Sequence, residues 1–277
     1  MDYGRLVGSA IDEHRASPVD LLGIGDAAGE LRYLEVSRAA YVRTVRDVDG
    51  LLGGDRSARR VLEIGAFLGP VSVALRALGY GVDALDIPEF HANPRLRALY
   101  ARHGIPFAGL NLRLAPLPYP DASFDAVLFC EVMEHWNFNP LPVLAEVNRV
   151  LKPGGFAYIG MPNQASLVSR LRLLAGRSIH NPVGDFFKQL DRRDNMVVGL
   201  HWREYTQGEA IEMLARMGFE PAKAYYFIEP AREDAGLLRR IARTLVYAYP
   251  PFRPAQVVVG RKIASPAHDF WRTEASA

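Results

Sequence analysis

The stretch "RVLEIGAFLGPVSVALRALGYGVDALDI", residues 60–87, holds a strand, a glycine loop, a helix and a second strand. "RVLEI" is a short apolar, β-rich run. Pro70 suits a first helical turn, and Gly79 is a helix stop. "GVDALDI" is the second strand. Such a unit is parallel and right-handed. Its loop carries Gly65 and Gly69 in G-x-x-x-G spacing, with Phe67 between them. A dinucleotide pyrophosphate favours G-x-G-x-x-G, so it suits this loop poorly. In an open parallel sheet, ligands sit beyond the carboxyl ends of the strands. The two glycines permit close backbone approach there, and the free N–H groups of the following helix point back at the loop. A plain strand–loop–helix junction is the other reading. Asp86 ends the second strand, where an acid can accept bonds from both ribose hydroxyls of a nucleoside; a loop or N-cap aspartate is the alternative.

The rhythm continues outward. Asn93 and Pro94 open a helix, "PFAGLNL" is a third strand and "FDAVLFC" a fourth. The fourth is nearly all apolar, as a strand covered on both faces should be. Asn139 and Pro140 open a helix through Leu151, "KPGG" stops it, and "FAYIGMP" is a fifth strand. Alternating strands and helices predict a parallel α/β sheet. Residues 31–48 carry apolar side chains at helical spacing and predict one N-terminal helix. Residues 162–203 read as irregular and rich in charge. Thr206 with Glu209 forms a capping box, and Gly218 closes that helix. "FEPAKAYYFIE" and "AQVVVGRKI" are late strands flanking a basic amphipathic helix, "GLLRRIARTLVYAY".

Bulk properties narrow the class. A 277-residue chain with 49% hydrophobic residues can bury a sizeable core. A net charge of +2 makes no global case for nucleic acid. The single cysteine, Cys130, excludes an internal disulfide and a cysteine-rich zinc site, and a reducing compartment suits it. The start "MDYGRLVGSAIDEHR" lacks a signal-peptide pattern, and no apolar run approaches ~18 residues. The expectation is a soluble, cytoplasmic protein without an integral membrane segment.

"LPYPDASFDAVLFCEVMEH", residues 117–135, and "LAEVNRVLKPGGFAYIGMPN", residues 144–163, decide the family. They resemble the class I S-adenosylmethionine-dependent methyltransferases, in the small-molecule branch, and "HWREYTQGEAIEMLARMGF" continues the likeness. The resemblance implies a Rossmann-like, doubly wound α/β fold. Its seven-stranded sheet has an antiparallel last strand, with N-terminal helices and an inserted lid. It also implies segments: 1–50 N-terminal helices, 51–163 cofactor-binding core, 164–205 substrate lid, 206–277 the rest of the core sheet.

The implied cofactor is S-adenosylmethionine, which has no phosphate, and a phenylalanine in the loop is then not excluded. By position, Glu63, Gly65, Ala66 and Gly69 match the cofactor loop, Asp86 the ribose acid, and Ile87 the residue beside the adenine. The family often has an acid before "LP-PD-SFD" to receive the adenine amino group. Here Arg113 holds that place, so Asn111, next to Leu112, is the substitute acceptor. Glu131 faces the cofactor edge.

A sulfonium methyl is already activated, so alignment in a dry pocket is the main task. An alcohol must also lose its proton, which a histidine can take. His135, just beyond strand four, is therefore a base or acceptor contact, or else structural, and His201 is the second catalytic candidate. Trp202, Arg203 and Tyr205 share its segment and are expected to bind substrate, or to pack the lid. Glu131, Glu134 and His135 are weighed as a metal set, but no further histidine has ligand spacing, so no metal is expected. Residues 167–203 hold seven Lys/Arg against three Asp, which suits either a solvated lid or an anionic acceptor. The helix from Gly236 to Tyr249 is expected to pack on the core; membrane-surface docking, suiting a lipid-carried acceptor, is the alternative.

The sequence reading is thus a methyltransferase acting on a small molecule, on a hydroxyl of a sugar or secondary metabolite. A homodimer is left open. The alternatives are a catalytically silent cofactor-binding partner subunit, an N- or C-methyltransferase, or a nicotinamide-dependent oxidoreductase.

Overall fold

Seven strands form one sheet in the order β3-β2-β1-β4-β5-β7-β6. They are β1 (Arg60–Ile64), β2 (Gly81–Asp86), β3 (Phe107–Gly109), β4 (Phe124–Cys130), β5 (Leu151–Pro162), β6 (Phe219–Phe227) and β7 (Ala255–Lys262). The first five run parallel; β7 lies antiparallel between β5 and β6. The computed structural model describes residues 1–21, 25–191, 199–228 and 236–266, without the side chains of 188–191 and 237–239.

Both faces of the sheet are buried, and the period of two assigns each residue a side. In β4, Ala126 and Leu128 join one core, and Val127 and Phe129 the other. Helices α1 (Tyr3–Ala16), α2 (Ala27–Val36), α3 (Arg38–Leu52) and α4 (Pro70–Ala77) supply the first core through Val7, Leu34, Val48 and Leu75. The other core takes Leu144 and Val147 of α7 (Leu141–Val150) and Leu214 of α10 (Gln207–Arg216). Phe129 is wholly buried, a state that stabilises by about 1.5–3 kcal/mol for a side chain of its size.

The "LKPGG" turn has a steric basis. Gly154 has φ 78°, and a Cβ on Gly155 would lie 3.0 Å from the carbonyl oxygens of Asp125 and Lys152. The chain folds tightly there, and the β4–β5 register shifts between Phe124 and Ala126. Asp125 ties this base of the sheet together, accepting from Arg60 N at 2.9 Å, Arg59 Nη1 at 2.9 Å and Lys152 Nζ at 2.6 Å.

The N-terminal helices are bolted to the sheet by Asp49 of α3. It accepts from Tyr3 Oη and Tyr80 Oη, each at 2.7 Å, and from Arg56 Nε at 2.6 Å. Helix α2 reaches the loop after β1 separately, where Tyr33 meets Phe67 edge-on at 5.5 Å.

Several elements differ from expectation. The helix over 31–48 breaks at Ser37 into α2 and α3. Helix α1 falls within the helical segment expected over 1–50, ahead of the one helix that spacing predicted. Between β2 and β3 run α5 (Pro88–Ala92) and α6 (Pro94–Arg102), of which only α6 was expected. The third strand is three residues long, because the chain turns at Asn111. The stretch 162–203 contains α8 (Leu167–Leu174) and α9 (Val183–Asp191); residues 192–198 of the expected lid lie outside the described residues. The C-terminal helix forms as α11 (Leu237–Val246), but the described part of its apolar side does not pack on the core. Ile241, Leu245 and the following Tyr249 are 48%, 71% and 57% exposed. The expected core contacts of Leu237 and Leu238, and the position of Arg239, lie outside the described side chains.

Candidate active site

The carboxyl ends of β1, β2 and β4 meet beneath α2. The loop after β1 is held in an uncommon shape. Gly65, Phe67 and Gly69 have φ of 70°, 50° and 75°. For Phe67 the left-handed region costs roughly 1–2 kcal/mol. Asp86 offsets that cost: its Oδ2 accepts from Phe67 N at 2.7 Å. Tyr100 Oη donates to the carbonyls of Ala66 and Phe67, each at 3.1 Å. The Phe67 ring is packed between Tyr33 and Phe90, so bulk at the middle of the loop serves to seat the N-terminal helices. Gly65 has no such room. A Cβ there would lie 2.4 Å from Val132 Cγ2, because the loop passes close to the segment after β4.

Asp86 is buried, which pushes its pKa up to about 6. Its Oδ1 accepts from Ile87 N at 2.7 Å. Each carboxylate oxygen thus has one N–H donor and keeps a lone pair. Glu63 is buried too, and its carboxyl takes the Ser72 hydroxyl in the first turn of α4. Burial raises its pKa to about 8. It braces the junction of β1 and α4. Asn111 accepts from Arg113 N at 3.0 Å, so its side chain orders the turn, and Leu112 packs beside it while Arg113 is exposed.

After β4 the chain turns sharply. Glu131 has φ 56°, and its N–H bonds Gly160 O at 2.8 Å. A short 3₁₀ turn, Met133–His135, follows. It carries Glu134, whose side chain is completely buried. Neither carboxylate oxygen of Glu134 is met by a basic or backbone donor among the described residues, and its carboxyl neighbours that of Glu131. Desolvation, then the neighbouring Glu131, raises its pKa well above the carboxylate range.

His135 bonds Leu200 O through Nδ1 at 2.9 Å. A carbonyl only accepts, so Nδ1 carries the proton and Nε2 keeps its lone pair. Burial lowers this imidazole to about 4. His201 stands against it, with ring centroids 5.0 Å apart. Its Nδ1 bonds Glu204 Oε1 at 2.8 Å. The segment carrying His201 is pinned to the 3₁₀ turn, since Trp202 N donates to Glu134 O at 2.7 Å. Trp202 is 38% exposed and stacks near Phe186 of α9 at 5.8 Å. Arg203 pairs with Glu209 at 2.8 Å. Tyr205 lies in the core, its carbonyl taking Gln256 Nε2 at 2.7 Å.

The structure therefore brings together Gly65, Ala66, Gly69, Asp86 and Ile87 on one side, and His135 with His201 on the other. Arg203 and Tyr205 are engaged in packing their own segment. Glu134 is the residue of this site that the sequence reading set aside; its position three residues past Glu131 and beside His135 was the available signal.

A family model described as a methyltransferase domain matches residues 62–159. An uncharacterized methyltransferase of Mycobacterium bovis is 40% identical over 236 residues, 81% of this chain and 86% of that protein. The chain belongs to the class I S-adenosylmethionine-dependent methyltransferases. A probable S-adenosylmethionine-dependent methyltransferase of Mycolicibacterium smegmatis is 31% identical over 169 residues, 59% of this chain. The match spans about half of that relative, 53% of its length. A solved S-adenosylmethionine-dependent methyltransferase of Mesorhizobium loti superposes with a TM-score of 0.56 at 18% identity, covering 80% of this chain and 98% of that one. The strand order and the antiparallel β7 of this methyltransferase match the architecture its sequence implied.

Membership implies S-adenosylmethionine as cofactor, and the residues present suit it. Buried Asp86 keeps lone pairs of the kind a ribose diol needs as acceptors. Glu131, just past the end of β4, has its pKa raised by burial. The glycine loop brings backbone, not a side chain, to the remaining edge. Among the described residues, no helix of this methyltransferase is long and apolar enough to cross a membrane.

Proposed function

We propose that this protein transfers a methyl group from S-adenosylmethionine to a hydroxyl of a small molecule, a sugar or secondary metabolite. One observation carries the choice of acceptor atom. His135 and His201 each have Nδ1 engaged, and a ring nitrogen of each converges with the Glu134 carboxyl just past β4. Such a cluster suits an O–H donor that must be oriented toward the methyl.

S-adenosylmethionine supplies an electrophilic methyl on sulfur. The acceptor oxygen attacks that carbon in line, forming O–C as C–S breaks; the sulfur keeps the electron pair, and S-adenosylhomocysteine leaves. Asp86 would hold the ribose, and the Gly65–Gly69 loop the amino-acid side. His135, lowered to about 4, is too weak a base to take an alcohol's proton at neutral pH. In this reading His135 and His201 orient the hydroxyl, and the proton leaves for water. Trp202 lines the acceptor side. Arg203, paired with Glu209, gives no support to an anionic acceptor. Phe67 and Arg113, which stand where the family pattern has other residues, are the positions that would favour a silent partner. The bond from Phe67 N to Asp86 argues instead for a loop built around its phenylalanine.

The test is a screen with methyl-labelled S-adenosylmethionine against hydroxylated sugars and phenols, read by mass. Label on an acceptor oxygen supports the proposal; label only on nitrogen or carbon acceptors overturns the hydroxyl assignment. A lipid-carried acceptor is a second reading, supported by exposed Leu171, Leu174, Phe187 and Leu245. Sedimentation with anionic vesicles checks it, and a protein left wholly in the supernatant counts against it.

A further inference from the structure

The sequence reading expected no metal. The three-dimensional arrangement points elsewhere, and it rests on the proposed acceptor site. We infer that Glu134, His135 and His201 form a binding site for a divalent first-row cation of the zinc, cobalt or manganese class, with open positions for an acceptor hydroxyl.

Four features converge. One ligand atom from each of the three residues lies within 4.8 Å of the others, so side-chain shifts of a few tenths of an ångström bring all three within reach of a single ion with bonds of about 2.0–2.2 Å. The side chain of Glu134 is completely buried, no basic or backbone donor among the described residues reaches its oxygens, and its neighbour is a second carboxyl, that of Glu131. A buried carboxyl left so is costly unless something binds it. Its Oε1 lies 3.9 Å from His135 Nε2, too far for a hydrogen bond but spaced for a shared ion. Both imidazoles are oriented through Nδ1, His135 by Leu200 O and His201 by Glu204 Oε1. A carbonyl or carboxylate behind the ring is how metal-binding histidines are held, with Nε2 presented as ligand.

The scaffold also keeps the set together across a long sequence separation. Trp202 N bonds Glu134 O at 2.7 Å, joining the segment bearing His201 to the turn bearing Glu134 and His135. His201 N is held in turn by Asn181 Oδ1 at 3.0 Å. Two imidazoles and one carboxylate leave part of the coordination sphere open, as a site that must take up a substrate oxygen requires. Mixed nitrogen and oxygen donors without thiolate favour the named cations over Mg²⁺ or Cu(I). The Glu131 carboxyl lies alongside that of Glu134. With the ion bound, Glu134 keeps its charge, and both histidines are ligands, not proton acceptors.

The experiment uses the full chain, stripped with chelator and titrated with Co²⁺, read by visible absorption and calorimetry. S-adenosylhomocysteine binding is measured in parallel by dialysis. The expected result is one Co²⁺ per chain, competed by Zn²⁺. Binding should weaken by more than about tenfold in Glu134→Gln and in His201→Ala, and by about tenfold in Glu204→Gln, which only orients a ligand. His201 is half-exposed, so His201→Ala decides the matter if Glu134→Gln fails to fold. Wild type without stoichiometric Co²⁺, or His201→Ala binding it as tightly as wild type, overturns the cation site. Co²⁺ failure with intact S-adenosylhomocysteine binding leaves the methyl-transfer proposal standing; loss of S-adenosylhomocysteine binding by wild type is a failure of that proposal instead.

Discussion

The carboxylate of Asp86 accepts a hydrogen bond from the backbone N–H of Phe67 at 2.7 Å, joining the end of β2 to the loop after β1. This one contact holds a phenylalanine in left-handed geometry and fixes the acid where a ribose would meet it. Asp86→Ala is therefore expected to weaken S-adenosylmethionine binding by about 1–3 kcal/mol, through lost hydrogen bonds to a charged acceptor. Equilibrium dialysis with labelled cofactor measures it. Unchanged affinity in a folded variant would remove Asp86 from the site.

Gly65 and Val132 are linked by contact. In Gly65→Ala the new Cβ meets Val132 Cγ2 at 2.4 Å, and φ of 70° adds strain. The variant should lose roughly 1–3 kcal/mol of stability and most of its cofactor affinity. Adding Val132→Ala should restore only part of the stability, because the dihedral strain persists. Thermal unfolding of the single and double variants decides; full restoration would mean the clash alone mattered.

Glu63 gives a pH prediction. Its pKa is about 8 in the folded protein against 4.5 ordinarily. Between those values the folded state binds more protons than the unfolded, so stability falls as pH rises through that window. Glu63→Gln mimics the protonated form and can keep a bond to Ser72. Its stability gain over wild type should therefore grow from pH 5 to pH 8, checked by denaturant melts. A constant difference would show that Glu63 is already ionised when folded.

Much of this was legible in the sequence, for physical reasons. β1, β4 and the helix after Pro70 carry short apolar runs bounded by glycine and proline, so their starts stand where the residues place them. The capping box of Thr206 and Glu209 is local chemistry, and it formed. What was not legible depends on tertiary contact. Helix α1 gains its place from Val7 and Ile11 in the core. The break at Ser37 has no glycine or proline to announce it. The convergence of His135 with His201 spans 66 residues and depends on backbone bonds to Glu134 and Leu200. The exposed apolar side of α11 looks, in sequence, like any core-facing helix, since periodicity gives a stripe but not its partner.

The central claim is that the crevice formed by Gly65, Phe67 and Asp86 is a cofactor site for S-adenosylmethionine. Calorimetric titration of S-adenosylhomocysteine into the wild-type protein tests it most directly. The account predicts saturable binding of one molecule per chain, displaced by S-adenosylmethionine. A flat titration, or binding that Asp86→Ala and Gly65→Ala both leave intact, would contradict it.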